Sequence, residues 1–291
     1  MKTLRQTIKE AEDKKVAVGH FNISNIEGLW AVFNSARKLS LPVIIGVSEG
    51  ERDFIGPRQV RDLVFGLREE YNYPIYLNAD HTYSFDRVKE VVSLGYDSVI
   101  FDGAKLSFEE NIEETKKCAE FIKKYNAENG ADIILEAEYG YIGQSSKILN
   151  DVPEGVDLSN LTDPQKALEF VEKTGIDMFA PAVGNIHGML SSGVDPSLDI
   201  QRISDIKEAV KIPLVLHGGS GNSVEDFQKA IKAGISVVHI NTELRVAYKK
   251  GLLESLQKNK DEVAPYKILK NAVSEMEKVV EEKLKVFNLK F

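Results

Sequence analysis

Five histidines mark the chemistry that this sequence is able to do, because each lies in or directly after a short apolar run. They are His20, His81, His187, His217 and His239. Neutral imidazole is a common metal ligand and also titrates near neutral pH. Three imidazoles with one open position form a typical catalytic zinc site. The histidines therefore predict metal-dependent chemistry if the fold brings several of them together.

The stretch Pro213–Gly221 combines two chemical functions. An apolar run of strand length ends in His217, and Gly218, Gly219, Ser220 and Gly221 follow before a helical pattern over 223–234. A glycine-rich turn between a strand and a helix gathers backbone N–H groups, which bind anions and above all phosphate. A metal ligand beside a phosphate site indicates a metal-dependent enzyme acting on a sugar phosphate. A simple tight turn is the alternative interpretation.

Other polar residues also follow apolar runs. Asp80 adjoins His81, where a carboxylate can serve as a general acid/base, as a helix cap or as a partner of the histidine. Asp102 and Glu136 are candidates for orienting ligand histidines. Asn241 and Thr242 fit either a substrate site or a helix cap. The remaining candidates are Asn22, Ser48, Glu138 and Gly188.

Eight strand-like runs of four to seven residues alternate with helical patterns. Such alternation predicts parallel strands joined by helices, and eight units fit a (β/α)₈ TIM barrel, whose active site lies at the carboxyl ends of the strands. A doubly wound sheet of two domains is the alternative. However, no segment resembles an interdomain linker, and no GxGxxG motif follows the first run. We expect one domain over residues 1–291. The runs are 16–22, 42–48, 74–80, 98–102, 132–138, 178–183, 213–216 and 237–241.

A further helical pattern over about 265–291 lies beyond the eighth unit. Its apolar stripe predicts a C-terminal helical segment that covers the surface of the barrel or contacts a partner subunit.

Composition narrows the classes of partner. The chain has 291 residues, 43% of them hydrophobic and 28% charged, with a net charge of −8 and one cysteine, Cys118. The acidic balance argues against a nucleic-acid partner, and no apolar run has membrane-spanning length. We expect a cytoplasmic protein with a small phosphorylated sugar as substrate, assembled as a homodimer or homotetramer.

The strand runs contain no lysine, which argues against an aldolase of the Schiff-base type. The first run contains His20 alone, without the paired HxH of amidohydrolase-type barrels. Metal activation is therefore the favoured route.

Taken together, these motifs resemble those of the class II, metal-dependent ketose-bisphosphate aldolases, including the fructose-1,6-bisphosphate and tagatose-bisphosphate enzymes. The resemblance runs nearly end to end. Its segments are 18–22, 42–50, Asp80–His81, Asp102–Gly103, 108–112, Glu136–Glu138, 162–164, Gly184–Gly188, His217–Gly221 and Asn241–Glu243.

The resemblance implies roles for the candidate residues. His81, His187 and His217 would bind the catalytic Zn²⁺, with Glu138 as a neighbouring or alternative ligand, and a second divalent or a monovalent cation is a further expectation. Asp80 would be the acid/base on the C4 hydroxyl, and Asn22 and Ser48 would lie near the substrate. The phosphate of dihydroxyacetone phosphate would be bound by Gly188, Gly218, Gly219, Ser220, Asn241 and Thr242.

Three segments on the substrate side depart from the family pattern. Met189–Gly193 lacks the lysine that usually follows GNxHG, and 143–146 (GQSS) lacks the usual loop carboxylate. His239 stands where the first Asn of an NVNT-like motif is usual. We expect His239 to face the barrel mouth as a substrate contact and proton carrier, with a core histidine as the alternative.

These departures keep other functions open. A class II-like aldolase for a different phosphorylated ketose is the first alternative. A catalytically silent barrel that binds metal or phosphate and a metal-dependent hydrolase are the others.

Overall fold

The strands form a closed parallel barrel in a computed structural model that describes residues 1–144 and 146–289. Ser145, part of the loop segment 143–146, and the last two residues of the predicted segment 265–291 lie outside the described residues. Around the barrel the strand order is β1-β2-β3-β4-β5-β7-β9-β10, and β10 pairs with β1. The strands of the described part are β1 (Val18–Asn22), β2 (Val43–Val47), β3 (Ile75–Thr82), β4 (Ser98–Phe101), β5 (Ile134–Tyr139), β6 (Ile148–Leu149), β7 (Met178–Pro181), β8 (Met189–Leu190), β9 (Leu214–Leu216) and β10 (Ile235–Ile240).

The predicted (β/α)₈ barrel is confirmed, and each of the eight predicted strand runs corresponds to a barrel strand. The structure also contains a short strand outside the eight predicted runs, β6, which pairs in parallel with β8. Two residues paired with a distant loop carry no local pattern in the sequence, so this small ladder follows only from tertiary structure. The doubly wound sheet is wrong as an alternative, because the strands close on one another in a single ring.

Helices connect the strands, and their boundaries follow capping residues. Thr3, Asp163, Asp199 and Ser223 each accept a hydrogen bond from a backbone N–H of the first turn. The helices are α1 (Leu4–Asp13), α2 (Ile26–Leu39), α3 (Glu49–Ile55), α4 (Pro57–Tyr71), α5 (Phe85–Ser93), α6 (Phe108–Asn129), α7 (Pro164–Thr174), α8 (Ile200–Val210), α9 (Val224–Ala233), α10 (Thr242–Lys258), α11 (Pro265–Ile268) and α12 (Lys270–Phe287).

Helix α1 closes the amino-terminal end of the barrel. Leu4, Ile8 and Ala11 form one buried cluster with inward-facing residues of the strands, among them Tyr76 and Val237. Since apolar burial is the main stabilising term in folding, this end of the barrel is a packed core rather than a channel. We call this cluster the lower layer.

Helix α12 packs against α2, α10 and β1, so the C-terminal segment covers the surface of its own barrel. Ala272, Met276, Val280 and Leu284 are buried at helical spacing. The backbone N–H of Ala17 also donates to the carbonyl of Phe287 at 3.1 Å. The division of the chain into one domain with a helical segment at about 265–291 remains a prediction.

Candidate active site

A cavity of about 240 Å³ opens at the carboxyl ends of the strands. The structure brings most of the sequence-predicted site residues together around it. Glu138, His217 and Gly219 are buried and do not line this cavity. The predicted residues that line it are Asn22, Ser48, Asp80, His81, His187, Gly188, Gly218, Ser220, His239, Asn241 and Thr242.

The end of β3 carries Asp80 and His81 on an irregular backbone. The pairing register with β4 shifts between Ala79 and Thr82, and His81 has a φ of 39°, which a non-glycine residue rarely adopts. The buried guanidinium of Arg52 stabilises this segment, since it donates to the Asp80 carbonyl at 2.9 Å and to Thr82 Oγ1 at 3.0 Å. A positive φ at a non-glycine residue is strained, and it persists only where surrounding contacts stabilise that backbone conformation.

The loops that carry His187 and His217 approach each other closely at Gly218. This glycine has a φ of 61°, and a Cβ atom there would lie 2.1 Å from the Ile186 carbonyl oxygen. Asn185 also ties the loops together, because its Nδ2 donates to the His217 carbonyl at 3.0 Å. Glycine is therefore required at 218 to bring the two histidines to one point.

His81, His187 and His217 converge geometrically. One ligand atom of each lies within 4.8 Å of the others. Their ring planes are inclined to one another by 55° to 84°. The lone pair of an imidazole nitrogen lies in the ring plane, so inclined rings at this spacing can direct three lone pairs at one ion.

Two other clusters at similar spacing contain His239 stacked on a second histidine. His239 lies parallel to His20, with 3.5 Å between ring centroids and 4° between planes. It also stacks on His217, at 4.2 Å and 21°. Stacked rings direct their lone pairs side by side, which disfavours a shared ion. The inclined set of His81, His187 and His217 is therefore a better candidate metal site than either set with stacked rings.

Each of these three histidines has a partner for its other nitrogen. His81 Nδ1 lies 2.9 Å from Asp102 Oδ2, and His217 Nε2 lies 2.7 Å from Glu136 Oε1. His187 Nδ1 lies 2.6 Å from the Gly143 carbonyl. Such partners fix the tautomer and the ring orientation of ligand histidines. Asp102 and Glu136 thus contact the rings in the way that ligand-orienting residues do.

The atoms left over fit a divalent cation. His217 Nδ1 and Glu138 Oε1 are buried and have no hydrogen-bond partner among the described residues, and they lie 3.5 Å apart. Glu138 Oε1 also lies 3.0 Å from His81 Nδ1, but that nitrogen faces Asp102 and makes no hydrogen bond to Glu138. Buried polar atoms without partners are costly, and a cation bound between them would remove that cost.

Asp80 is buried and held from two sides. Its Oδ2 accepts from Asn22 Nδ2 at 2.8 Å, and its Oδ1 lies 3.5 Å from His239 Nδ1. Burial acts to raise the pKa of Asp80, but His81, His239 and His20 outweigh it and hold the pKa well below its ordinary value. The carboxylate is therefore ionised at neutral pH and able to accept a proton.

His239 lines the cavity with its ring between two other rings. Burial, together with His20 and His217 nearby, holds its pKa well below the ordinary value. Both faces of the ring are covered, and Nε2 has no partner among the described residues. The ring edge is therefore the part of His239 that a substrate can contact.

The glycine-rich turn after β9 shares its N–H groups between the protein and the cavity. Gly219 N–H donates to the His239 carbonyl at 3.2 Å, and Gly221 N–H donates to Glu243 Oε1 at 3.1 Å. These two amides are engaged within the protein. Gly218 and Ser220 line the cavity, together with Thr242 at the start of α10. Neither of the two hydrogen bonds above involves the N–H of Gly218 or Ser220.

Several residues near the cavity, Tyr83 among them, escaped the sequence interpretation, and three of these lie on α3 or α10. Glu51 is buried and accepts from Asn22, Ser48 and Arg245. Arg52 holds the end of β3, and Arg245 lines the cavity wall. The spacing of Ser48 and Glu51 is that of a capping box, a signal that predicts a helix start there.

The comparisons with known proteins agree with this geometry. The sequence profile of the family described as fructose-bisphosphate aldolase class-II matches residues 2–290.

The chain belongs to the class II fructose-bisphosphate aldolase family.

Relatives of this family resemble the chain over nearly its whole length. The fructose-bisphosphate aldolase of Staphylococcus epidermidis is 35% identical over 288 residues, which cover 98% of this chain and 96% of the relative. That of Geobacillus stearothermophilus is 36% identical over 270 residues, covering 92% and 90%. The crystal structure of the YdjI aldolase from Escherichia coli K12 is 28% identical with a TM-score of 0.79, covering 99% and 97%.

Family membership makes this chain an aldehyde-lyase and implies a divalent metal and a phosphorylated sugar substrate. A catalytically silent barrel and a hydrolase are not the functions that this family indicates. Separately, no helix within the described ranges is both long enough and apolar enough to cross a membrane.

Proposed function

We propose that this class II aldolase uses Zn²⁺ to cleave a phosphorylated ketose reversibly, for example fructose 1,6-bisphosphate, to dihydroxyacetone phosphate and an aldehyde. The observation that carries the proposal is one set of three inclined histidine rings: His81 and His187 line the cavity beside the buried carboxylate of Asp80, and the buried His217 completes the set. Imidazole ligands suit zinc better than magnesium or calcium, which prefer oxygen.

His81, His187 and His217 would hold the zinc ion, with Glu138 as a neighbouring or alternative ligand. When bound, zinc supplies Lewis-acid stabilisation of the negative charge that cleavage leaves on the triose fragment. The two buried atoms without partners, His217 Nδ1 and Glu138 Oε1, support this assignment. A second divalent or a monovalent cation near the phosphate remains part of the proposal.

Asp80 would accept the proton of the C4 hydroxyl when the C3–C4 bond of the ketose breaks, and return it in the condensation direction. Its low pKa supplies the ionised form, and Asn22 orients it through the 2.8 Å bond to Oδ2. General bases must lie within hydrogen-bond reach of the proton that they take, and Asp80 lines the cavity.

The phosphate end of the substrate would lie against Gly188, Gly218, Ser220, Asn241 and Thr242, all of which line the cavity. A helix start and a glycine-rich turn provide N–H donors for a phosphate. Gly219 would shape the turn, since its own N–H already has a partner. Ser48 and the edge of His239 would contact the sugar.

A different phosphorylated ketose is the second candidate, and the cavity wall favours it. Met189 and Leu190, which stand where the family lysine is usual, are part of the β6–β8 ladder. Gln144 and Ser146 line the cavity in the loop where a carboxylate is usual. Arg245 is the one lysine or arginine among the described residues that line the cavity. The charged side chains that would select the substrate therefore differ from the family pattern.

Triose-phosphate release from a panel of ketose phosphates tests the proposal. Metal-free protein is reconstituted with Zn²⁺ or with Mg²⁺, and each form is assayed on fructose 1,6-bisphosphate, tagatose 1,6-bisphosphate and ketose 1-phosphates. We expect zinc-dependent release from at least one of them, and the preferred ketose decides between the two candidates. Equal activity of the metal-free protein, or no release from any ketose by the zinc form, would contradict the proposal.

Cytoplasmic location and assembly into a homodimer or homotetramer also remain proposals. Light scattering of the purified protein decides the second.

A further inference from the structure

His20 is a buried histidine to which none of the roles above is assigned. Its side chain is fully buried, and its imidazole is the end ring of a stack that continues through His239 to His217. The stack therefore joins a residue without a role to the candidate substrate contact and then to a candidate metal ligand. The ring planes differ by only 4° between His20 and His239 and by 21° between His239 and His217.

Strand register and one glycine create the space for this ring. His20 on β1 is the pairing partner of His239 on β10, so the two side chains enter the barrel side by side. On the other side, a Cβ atom at Gly46 would lie 2.0 Å from Cε1 of His20. Glycine at 46 is thus the condition for an imidazole at 20.

One hydrogen bond orients the His20 ring, and a second orients the side chain of Asn78 that makes it. Ser98 Oγ donates to Asn78 Oδ1 at 2.9 Å, which leaves Asn78 Nδ2 to face His20 Nε2 at 3.0 Å. His20 Nε2 therefore accepts, and the ring proton of the neutral imidazole belongs on Nδ1. Asn78 and Ser98 are themselves buried, so this is a preorganised network rather than a solvated contact.

The middle ring of the stack, His239, lies next to the carboxylate of Asp80, the proposed acid/base. His20 and His217 cover the two faces of the His239 ring and so fix its plane, and in this plane Nδ1 lies 3.5 Å from Asp80 Oδ1. Asn22 holds the other oxygen of Asp80. The position of Asp80 is thus fixed by Asn22 on one side and by the stacked His239 on the other.

We propose that His20 is a positioning residue for the reaction: by stacking on His239 it holds the edge of that ring toward Asp80 and its face against His217. The inference rests on the proposed role of Asp80. A purely structural histidine would affect folding alone, whereas a positioning histidine affects kcat at unchanged KM and unchanged metal content.

Three variants and a control test the proposal. His20→Leu removes both the flat ring and the acceptor for Asn78. His20→Gln keeps a planar group with an acceptor oxygen. Ser98→Ala removes only the donor that orients Asn78, and it serves if His20→Leu does not fold. Tyr76→Phe is the matched control. Tyr76 lies on the same face of β3 as Asn78, and the change removes a buried hydroxyl from the lower layer.

In the zinc-loaded enzymes we expect His20→Leu to lower kcat by roughly 10- to 100-fold, the scale of small misplacements of a catalytic group. KM and bound zinc should stay unchanged. His20→Gln should recover kcat to within about threefold of wild type, and Ser98→Ala should lower it in the same direction but less. Tyr76→Phe should leave kcat unchanged.

A second readout does not depend on activity. In the metal-free protein, imidazole ¹⁵N resonances, assigned by single histidine substitutions, should show His20 protonated on Nδ1. His20→Leu should shift the His239 resonances, and Tyr76→Phe should not. A kcat in His20→Leu equal to that of Tyr76→Phe, or unchanged His239 resonances, would overturn the inference. If wild type cleaves no ketose, the proposed function fails, while the resonances still decide whether His20 orients His239.

Discussion

The two ends of the barrel interior are built from the same strands but have opposite chemistry. Near the amino-terminal end the inward side chains of the lower layer are apolar and pack on α1. Two residues further along most of these strands, polar or charged side chains take their place. Val18 is followed by His20 on β1, and Val237 by His239 on β10.

This difference separates stability from function along the barrel axis. Side chains of a strand alternate between its two faces, so every second residue enters the interior at a new level. The lower layer excludes water, whereas the upper levels bury ionisable groups at an energetic cost that only mutual contacts offset. Changes in the lower layer should therefore alter stability, and changes above it should alter catalysis.

The largest expected effect is on kcat, at the carboxyl-terminal end of the barrel where Asp80 lines the cavity. Asp80→Ala should lower kcat by roughly 10²–10⁴, the usual contribution of a general acid/base, with zinc content unchanged. Steady-state kinetics and metal analysis measure both quantities. Asp53→Ala removes an exposed carboxylate on α3 and is the control, with kcat near wild type. Full activity in metal-loaded Asp80→Ala protein would exclude the proposed role.

At the opposite end, Ile8→Ala should lower the free energy of unfolding by roughly 2–5 kcal/mol, because it opens a cavity in the buried face of α1. Urea denaturation measures this change. At urea concentrations below the unfolding transition, the kcat of the folded variant should stay at the wild-type value. Val263→Ala, at an exposed position, should change stability by about 0.5 kcal/mol or less. A loss of kcat in folded Ile8→Ala protein would contradict the separation.

A smaller effect is expected beside the metal ligands. Glu136→Ala removes the carboxylate that orients His217 and should weaken zinc binding roughly 10- to 100-fold. Competition with a chelator measures the affinity. Glu136→Gln keeps an oxygen acceptor at the same place and should lose less. Equal zinc affinity in wild type and Glu136→Ala would show that Glu136 does not support the metal site.

The smallest expected effect is on a single hydroxyl of the lower layer. Tyr76 Oη lies 2.7 Å from Thr7 Oγ1 and donates to the Lys2 carbonyl at 2.9 Å. Tyr76→Phe should cost about 0.5–1.5 kcal/mol of unfolding free energy with unchanged kcat and zinc content. Thermal unfolding is the measurement, and a changed kcat would mean that the two ends of the barrel are coupled.

The sequence predicted the barrel because its signals are local. Apolar runs separated by capped helices repeat eight times, and each cap acts within one turn of its own helix. The capping box at Ser48 and Glu51 is also local, yet α3 went unpredicted because its seven residues directly follow β2. The β6–β8 ladder joins two distant loops and has no local signal.

The candidate site was partly predictable for the same reason. Strand ends identified the histidines and Asp80, since all parallel strands end at one face of the barrel. The inclination of His81, the stacking of His20 and the buried bonds of Arg52 depend on strand register and on close approaches at Gly218 and Gly46. Such relations between distant residues are not visible in a linear pattern.

Closure of the barrel has a consequence for the order in which the chain acquires its properties. The edge of β1 pairs with β10, and Phe287 in α12 contacts the backbone of Ala17, so most of the chain separates these partners. During synthesis, β1 therefore emerges long before its partner and has an unpaired edge until β10 arrives. Contacts this distant in sequence slow folding and expose aggregation-prone edges to other nascent chains. The candidate metal site matures on the same schedule, because His81 lies on the third barrel strand and His217 directly after the seventh.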